Sequence, residues 1–152
     1  MRILLVLSCF LVSTSSWSQD LDAIEVQKTI EKFFDGFHAQ DSTLIKKTVS
    51  DSIIMQTIAM DDIGNSIVKS RDLNGFLKSI VAIPKTTKFE EAITNYSIQI
   101  DGPMANAWTD YKFYFDGQFH HCGVNSFQLV KDLEKGWQII YVIDTRRETD
   151  CK

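Results

Sequence analysis

Residues 107–131 read AWTDYKFYFDGQFHHCGVNSFQLVK and residues 136–151 read GWQIIYVIDTRRETDC, and these two stretches decide the fold. Apolar and aromatic residues recur at every second position, the period of a strand with one buried face. Asp116-Gly117 is a hairpin signal that divides the first stretch into strands 104–115 and 119–131. The polar turn Asp132-Leu133-Glu134-Lys135 leads into a strand over 136–147, and Asp101-Gly102-Pro103 turns back to a strand over 88–100. Four strands joined by hairpin-length turns predict an antiparallel meander.

Upstream the period changes to that of a helix. Val26, Ile30, Phe33, Phe34 and Phe37 make one apolar stripe over 20–38, opposite Glu25, Lys28, Glu31, Lys32 and Asp35. Asp41 or Ser42 caps a short second helix carrying Leu44, Ile45 and Val49. SIIMQTIAM (52–60) is strand-like, with 66–69 a short return strand. A third helix starts at Ser70 or Asp72, buries Leu73, Phe76, Leu77, Ile80 and Val81, and is stopped by Pro84. Three N-terminal helices before most of a strongly curved, mostly antiparallel sheet make an α+β fold.

The 152 residues carry 16 Lys+Arg against 20 Asp+Glu, with 44% apolar residues, which fits one folded domain. A net charge of −4 without a basic block argues against a nucleic-acid partner. Arg2, the apolar run ILLVLSCFLV (3–12) and the small residues of 13–18 have the order of a secretory signal peptide. The run is too short for a stable membrane span. This predicts a leader over 1–18, cut before Gln19, and a single secreted or periplasmic domain over 19–152. Cys122 and Cys151 then remain in an oxidising compartment, where a disulfide is the economical state. Two free thiols are the alternative, because Cys151 is next to the chain end. No paired Cys or His spacing suits a metal, and His120 and His121 on one strand should point to opposite faces.

The helix–helix–strand–helix–four-strand order resembles the nuclear transport factor two-like fold, a cone of helices against a bent sheet. The resemblance covers nearly all of 19–152 and rests on FFDGFHAQDSTLIKKTVSDSIIMQTIA (33–59) and the two stretches quoted first. That superfamily includes ketosteroid isomerases, SnoaL-like polyketide cyclases, limonene epoxide hydrolases and small exported proteins without an assigned reaction. The resemblance implies an internal pocket between helices and sheet; it does not imply one function.

A tight last hairpin would set Lys131 opposite Gly136. One face then carries His121, Gly123, Asn125, Phe127 and Leu129 beside Ile140, Val142, Asp144 and Arg146. The other carries His120, Cys122, Val124, Ser126 and Gln128 beside Ile139, Tyr141, Ile143 and Thr145. Apolar walls with convergent polar groups make a small-molecule site, with Phe34 contributed by the first helix. Asp144 beside His121 would form a carboxylate–imidazole acid/base pair, while Arg146 would hold an anionic group or neutralise Asp144. The plainer alternative is a solvated strand end, with Asp144 paired to Arg146 or Arg147 and His121 exposed.

Asp110 is the reserve general base, although it shares a face with Trp108, Lys112 and Tyr114. His38 ends the first helix, where a cation suits the dipole. The Tyr that ketosteroid isomerases place on their first helix has no counterpart in 20–40, nor is there a nucleophile motif, phosphate loop or metal constellation. Any catalysis would be cofactor-free acid/base work. Three classes stay open: an exported binder of a small hydrophobic or weakly anionic molecule, an isomerase, cyclase or hydrolase, and a homodimerising module using Tyr141, Ile139 and Val124. A closed pocket with an ionisable group pointing inward would favour the enzyme, an aromatic pocket without one would favour binding, and a filled cone would favour association.

Overall fold

The computed structural model describes residues 15–151. The predicted leader therefore lies largely outside the described residues. Helix α1 spans Ser15–His38, α2 Ser42–Lys46 and α3 Leu73–Val81. The strands are β1 Val49–Met60, β2 Ser66–Arg71, β3 Phe89–Asp101, β4 Met104–Phe115, β5 Gln118–Asp132 and β6 Gly136–Arg147. Among the described residues, no helix is long and apolar enough to cross a membrane.

Asp41 caps α2 by accepting from the Thr43 and Leu44 N–H groups, and Asp72 caps α3 by accepting from Gly75 N–H. Both are Asp side chains satisfying otherwise unpartnered helix donors. Val49, expected on α2, instead begins β1 and pairs with Ile139. α1 turns sharply into α2 through Gln40, whose φ is 55°. Gly36 permits their close approach: a Cβ there would sit 2.9 Å from the Ile45 backbone nitrogen.

The sheet order is β2-β1-β6-β5-β4-β3. All neighbours are antiparallel except β1 and β6, which run parallel. Four pairings carry a register irregularity. On β3, β5 and β6 the extra residues are Thr94, His120 and Ile140, and bulges of this kind bend a sheet. Val26, Ile30, Phe33 and Phe34 of α1 pack onto Ala105, Ala107, Phe127, Leu129 and Ile139 of the concave face. Phe33 and Phe34 both meet Phe127 edge to face. Lys131 pairs with Asp22, tying α1 to β5 at the surface.

The last hairpin corrects the expected register. Asp132 rather than Lys131 faces Gly136, and the bulge at Ile140 adds a further slip. Two slips restore the parity, so His121, Gly123, Asn125 and Phe127 share a face with Val142, Asp144 and Arg146 as expected. Their partners change: Asn125 faces Asp144, Phe127 faces Val142 and Gly123 faces Arg146. The bulge exchanges two isoleucines. Ile139, expected outside in an association face, is fully buried, whereas Ile140, expected in the pocket wall, is 37% exposed.

Cys122 faces Arg147 and forms a disulfide with Cys151, with Cα atoms 5.8 Å apart. The tail turns back through Asp150, at a φ of 56°.

Candidate functional site

An open cavity of about 910 Å³ lies between α1, α3 and the concave side of β1, β2 and β6. Its apolar lining includes Phe33, Phe37, Phe76, Met55, Phe127 and Val142. Phe76 stacks between Phe33 and Phe37, with interplanar angles of 9° and 7°. One end is polar, formed by Glu91, Asn125, Asp144 and Arg146. The volume falls in the range of small-molecule sites.

Glu91 is the residue that sequence reasoning missed. It projects from β3 and accepts a 2.7 Å hydrogen bond from Asn125 Nδ2. Burial pushes its carboxyl up to about 7; the Asn125 bond and Arg146 oppose that shift, and the Asp144 charge adds to it. The signal was in the sequence: Glu91 stands between Phe89 and Ile93 at a spacing of two, on the apolar parity of its strand.

Its backbone is held from α1. Glu91 N–H donates to His38 Nε2 at 2.9 Å. His38 is therefore a neutral acceptor, its pKa lowered by burial, and not the helix-end cation expected.

The structure gathers Asn125, Asp144 and Arg146 at the cavity, with Phe34, Phe127 and Val142 in its wall. It leaves out His121. Asp144 accepts a 2.8 Å bond from Arg146 Nε, so the anion is matched by a cation from its own strand. His121 is 8% exposed, stacks on Phe113 with centroids 4.8 Å apart and meets Tyr111 edge-on. Burial, helped by Arg146 and His120, holds its pKa down at about 4. The bulge at His120 overrides strict alternation, and the Nδ1 atoms of His120 and His121 lie 2.9 Å apart. Thus the expected His121–Asp144 pair is not formed.

Tyr111 crosses Gly123 to donate from its hydroxyl to the Thr145 carbonyl, 2.9 Å away. A Cβ at Gly123 would lie 1.9 Å from that carbonyl oxygen and 2.7 Å from the Tyr111 ring. Asp110 is only half-buried, on the opposite face near Trp108, and the Asn95 amide reaches it at 3.4 Å. It does not line the cavity. Gln56, which borders the cavity, accepts from the Tyr141 hydroxyl at 2.7 Å and donates to Ser70 Oγ. Among the described residues, no group of three or more His, Cys, Asp or Glu side chains converges as a metal site.

A cone of helices against a strongly curved, mostly antiparallel sheet defines the fold class. Comparison with solved structures agrees. A protein of unknown function from Mycobacterium tuberculosis is 11% identical, with a TM-score of 0.72 over 91% of this chain and 79% of its own. A nuclear transport factor 2-like (NTF2-like) superfamily protein from Salmonella enterica is 18% identical, with a TM-score of 0.65 over 87% and 95% of the two chains. A candidate dehydratase of the NTF2-like family from Streptomyces avermitilis is 13% identical, with a TM-score of 0.65 over 86% and 99%. No family model and no curated protein matches the chain. The chain has the NTF2-like fold, as the sequence resemblance implied.

Proposed function

We propose that the chain is an exported, cofactor-free acid/base protein that binds a small, largely apolar molecule in the cone cavity and moves a proton on it with Glu91. The observation carrying this reading is the Glu91 carboxyl, facing the cavity with its pKa raised to about 7. A carboxyl poised near neutral pH both accepts and returns a proton, which an ordinary carboxylate does poorly. Asn125 fixes its orientation, and Arg146 is the cation at the same end to meet negative charge developing on the ligand. Proton transfer between neighbouring atoms of one molecule, as in an isomerisation or elimination, needs no more than this. The similarity in fold to a candidate dehydratase is compatible with that chemistry. Export is supported by the leader-like residues 1–18 and by the Cys122–Cys151 disulfide.

The test is deuterium uptake from heavy water into small cyclic ketones and enones, followed by NMR. Uptake by the wild-type protein and its loss in Glu91→Gln are expected. Compounds that occupy the cavity without uptake would overturn proton transfer and leave the chain a binding protein.

A further inference from the structure

The cavity has a second charged border, which the acid/base reading does not use. Lys69 and Arg71 lie two residues apart on β2 and both line the cavity, at the side away from Glu91. Neither makes an ion pair among the described residues. Arg71 is nevertheless held: its Nη1 donates to Ser79 Oγ on α3 at 3.2 Å, and Ser79 in turn donates to the Phe76 carbonyl at 2.7 Å. Arg146, at the other end, shares its charge with Asp144, whereas the two β2 cations have no carboxylate partner among the described residues.

Register gives their distance from Asp144 and Val142 on β6. Asp144 pairs with Thr57, and Thr57 with Lys69. Val142, Met55 and Arg71 form the adjoining row. Two strand spacings, about 10 Å along the sheet, separate the ends of each row. Asn125, which holds the Glu91 carboxyl, lies one strand beyond Asp144, so the side chains reaching inward from both sides bridge the remainder. The stacked Phe33, Phe76 and Phe37 rings lie against the same cavity.

From this we infer that the ligand is a planar, apolar carboxylate about the length of two fused rings. Its carboxylate is taken by Arg71 and Lys69, and its far end is delivered to Glu91. Arg71 suits a carboxylate because its planar fork, fixed through one nitrogen, leaves donors for a two-oxygen group. This inference rests on the cavity being the ligand site, as in the proposed function, and adds the ligand's charge and polarity of binding.

Calorimetric titration of the full chain with 2-naphthoate and with neutral 2-naphthalenemethanol tests it. Wild type should bind the acid about tenfold more tightly, a preference that added salt reduces. The double variant Lys69→Gln/Arg71→Gln should lose the preference and keep its affinity for the alcohol. Ala59→Trp, placed on the inner parity of β1 among the lining residues, should weaken both probes. Equal affinity for acid and alcohol in wild type, or an undiminished preference in the double variant, overturns the anion border and leaves the cavity reading standing. Acid binding that survives Ala59→Trp places the probe elsewhere and overturns the inference. If neither probe binds, both readings fall.

Discussion

Asn125 Nδ2 donates to Glu91 Oε1 across a 2.7 Å bond, so an amide from β5 supports a carboxyl from β3 inside a largely apolar cavity. The bond favours the ionised form and opposes the burial that raises the pKa to about 7. Asn125→Ala should move the midpoint above 7. Carboxyl carbon NMR of the variant checks this, and a midpoint at or below the wild-type value would contradict the assignment.

Glu91 and His121 should pull stability in opposite directions over nearly the same pH window. Glu91 ionises less readily folded than unfolded, so its contribution is full below pH 4.5 and declines as pH rises to about 7. His121 takes up a proton less readily folded, so stability declines as pH falls from 6.5 to about 4. Each limb is worth roughly 3 kcal/mol. Wild type should therefore show a shallow profile in urea unfolding. Glu91→Gln should expose the acid loss, and His121→Phe, which keeps a ring against Phe113, should expose the loss towards neutrality. Parallel profiles for all three proteins would refute the opposition.

The disulfide closes a separation of 29 residues and removes the tail's freedom at the edge of β5. The chain-entropy account puts its contribution at about 3–4 kcal/mol. Replacing both Cys122 and Cys151 with Ala should lower unfolding stability by that order, with part of the cost at Cys122, which is 1% exposed. Denaturant unfolding under oxidising and reducing conditions separates bond from packing: reduction should destabilise wild type and leave the double variant unchanged.

Gly123→Ala should be among the most damaging single changes, costing more than 3 kcal/mol or preventing folding. The added Cβ meets the Thr145 carbonyl 1.9 Å away and the Tyr111 ring at 2.7 Å. Tyr111→Ala should not rescue it, because the carbonyl is backbone. Thermal unfolding of single and double variants is the measurement, and a well-folded Gly123→Ala protein would refute the close contact.

The helices, caps and strands were legible because period, capping Asp residues and Asp-Gly turns are local signals. Parity on the last two strands was also legible, although partners were not. A bulge at Ile140 is set by how the sheet must bend over α1, and nothing in GWQIIYV distinguishes Ile139, which is buried, from Ile140. His120 shows the same limit on β5. The site was half visible. Asn125, Asp144 and Arg146 could be gathered from one hairpin, whereas Glu91 joins them from β3, with β4 lying between it and β5. His38 carries no sequence signal for accepting the Glu91 N–H, because that contact depends on where the helix lies across the sheet.

The parallel pairing of β1 with β6 has a consequence for how the chain is made. Thr57 takes Asp144 as its neighbour, so apart from the edge strand β2 the first strand has no sheet partner until the last strand has been synthesised. During synthesis the hairpin of β1 and β2 must wait with one edge unpaired, and such edges recruit other chains. Closing so long a loop is a slow step in folding. Chains truncated before Tyr141 should consequently accumulate as aggregates and not as shorter folded domains, even though most of the helices and strands are already present.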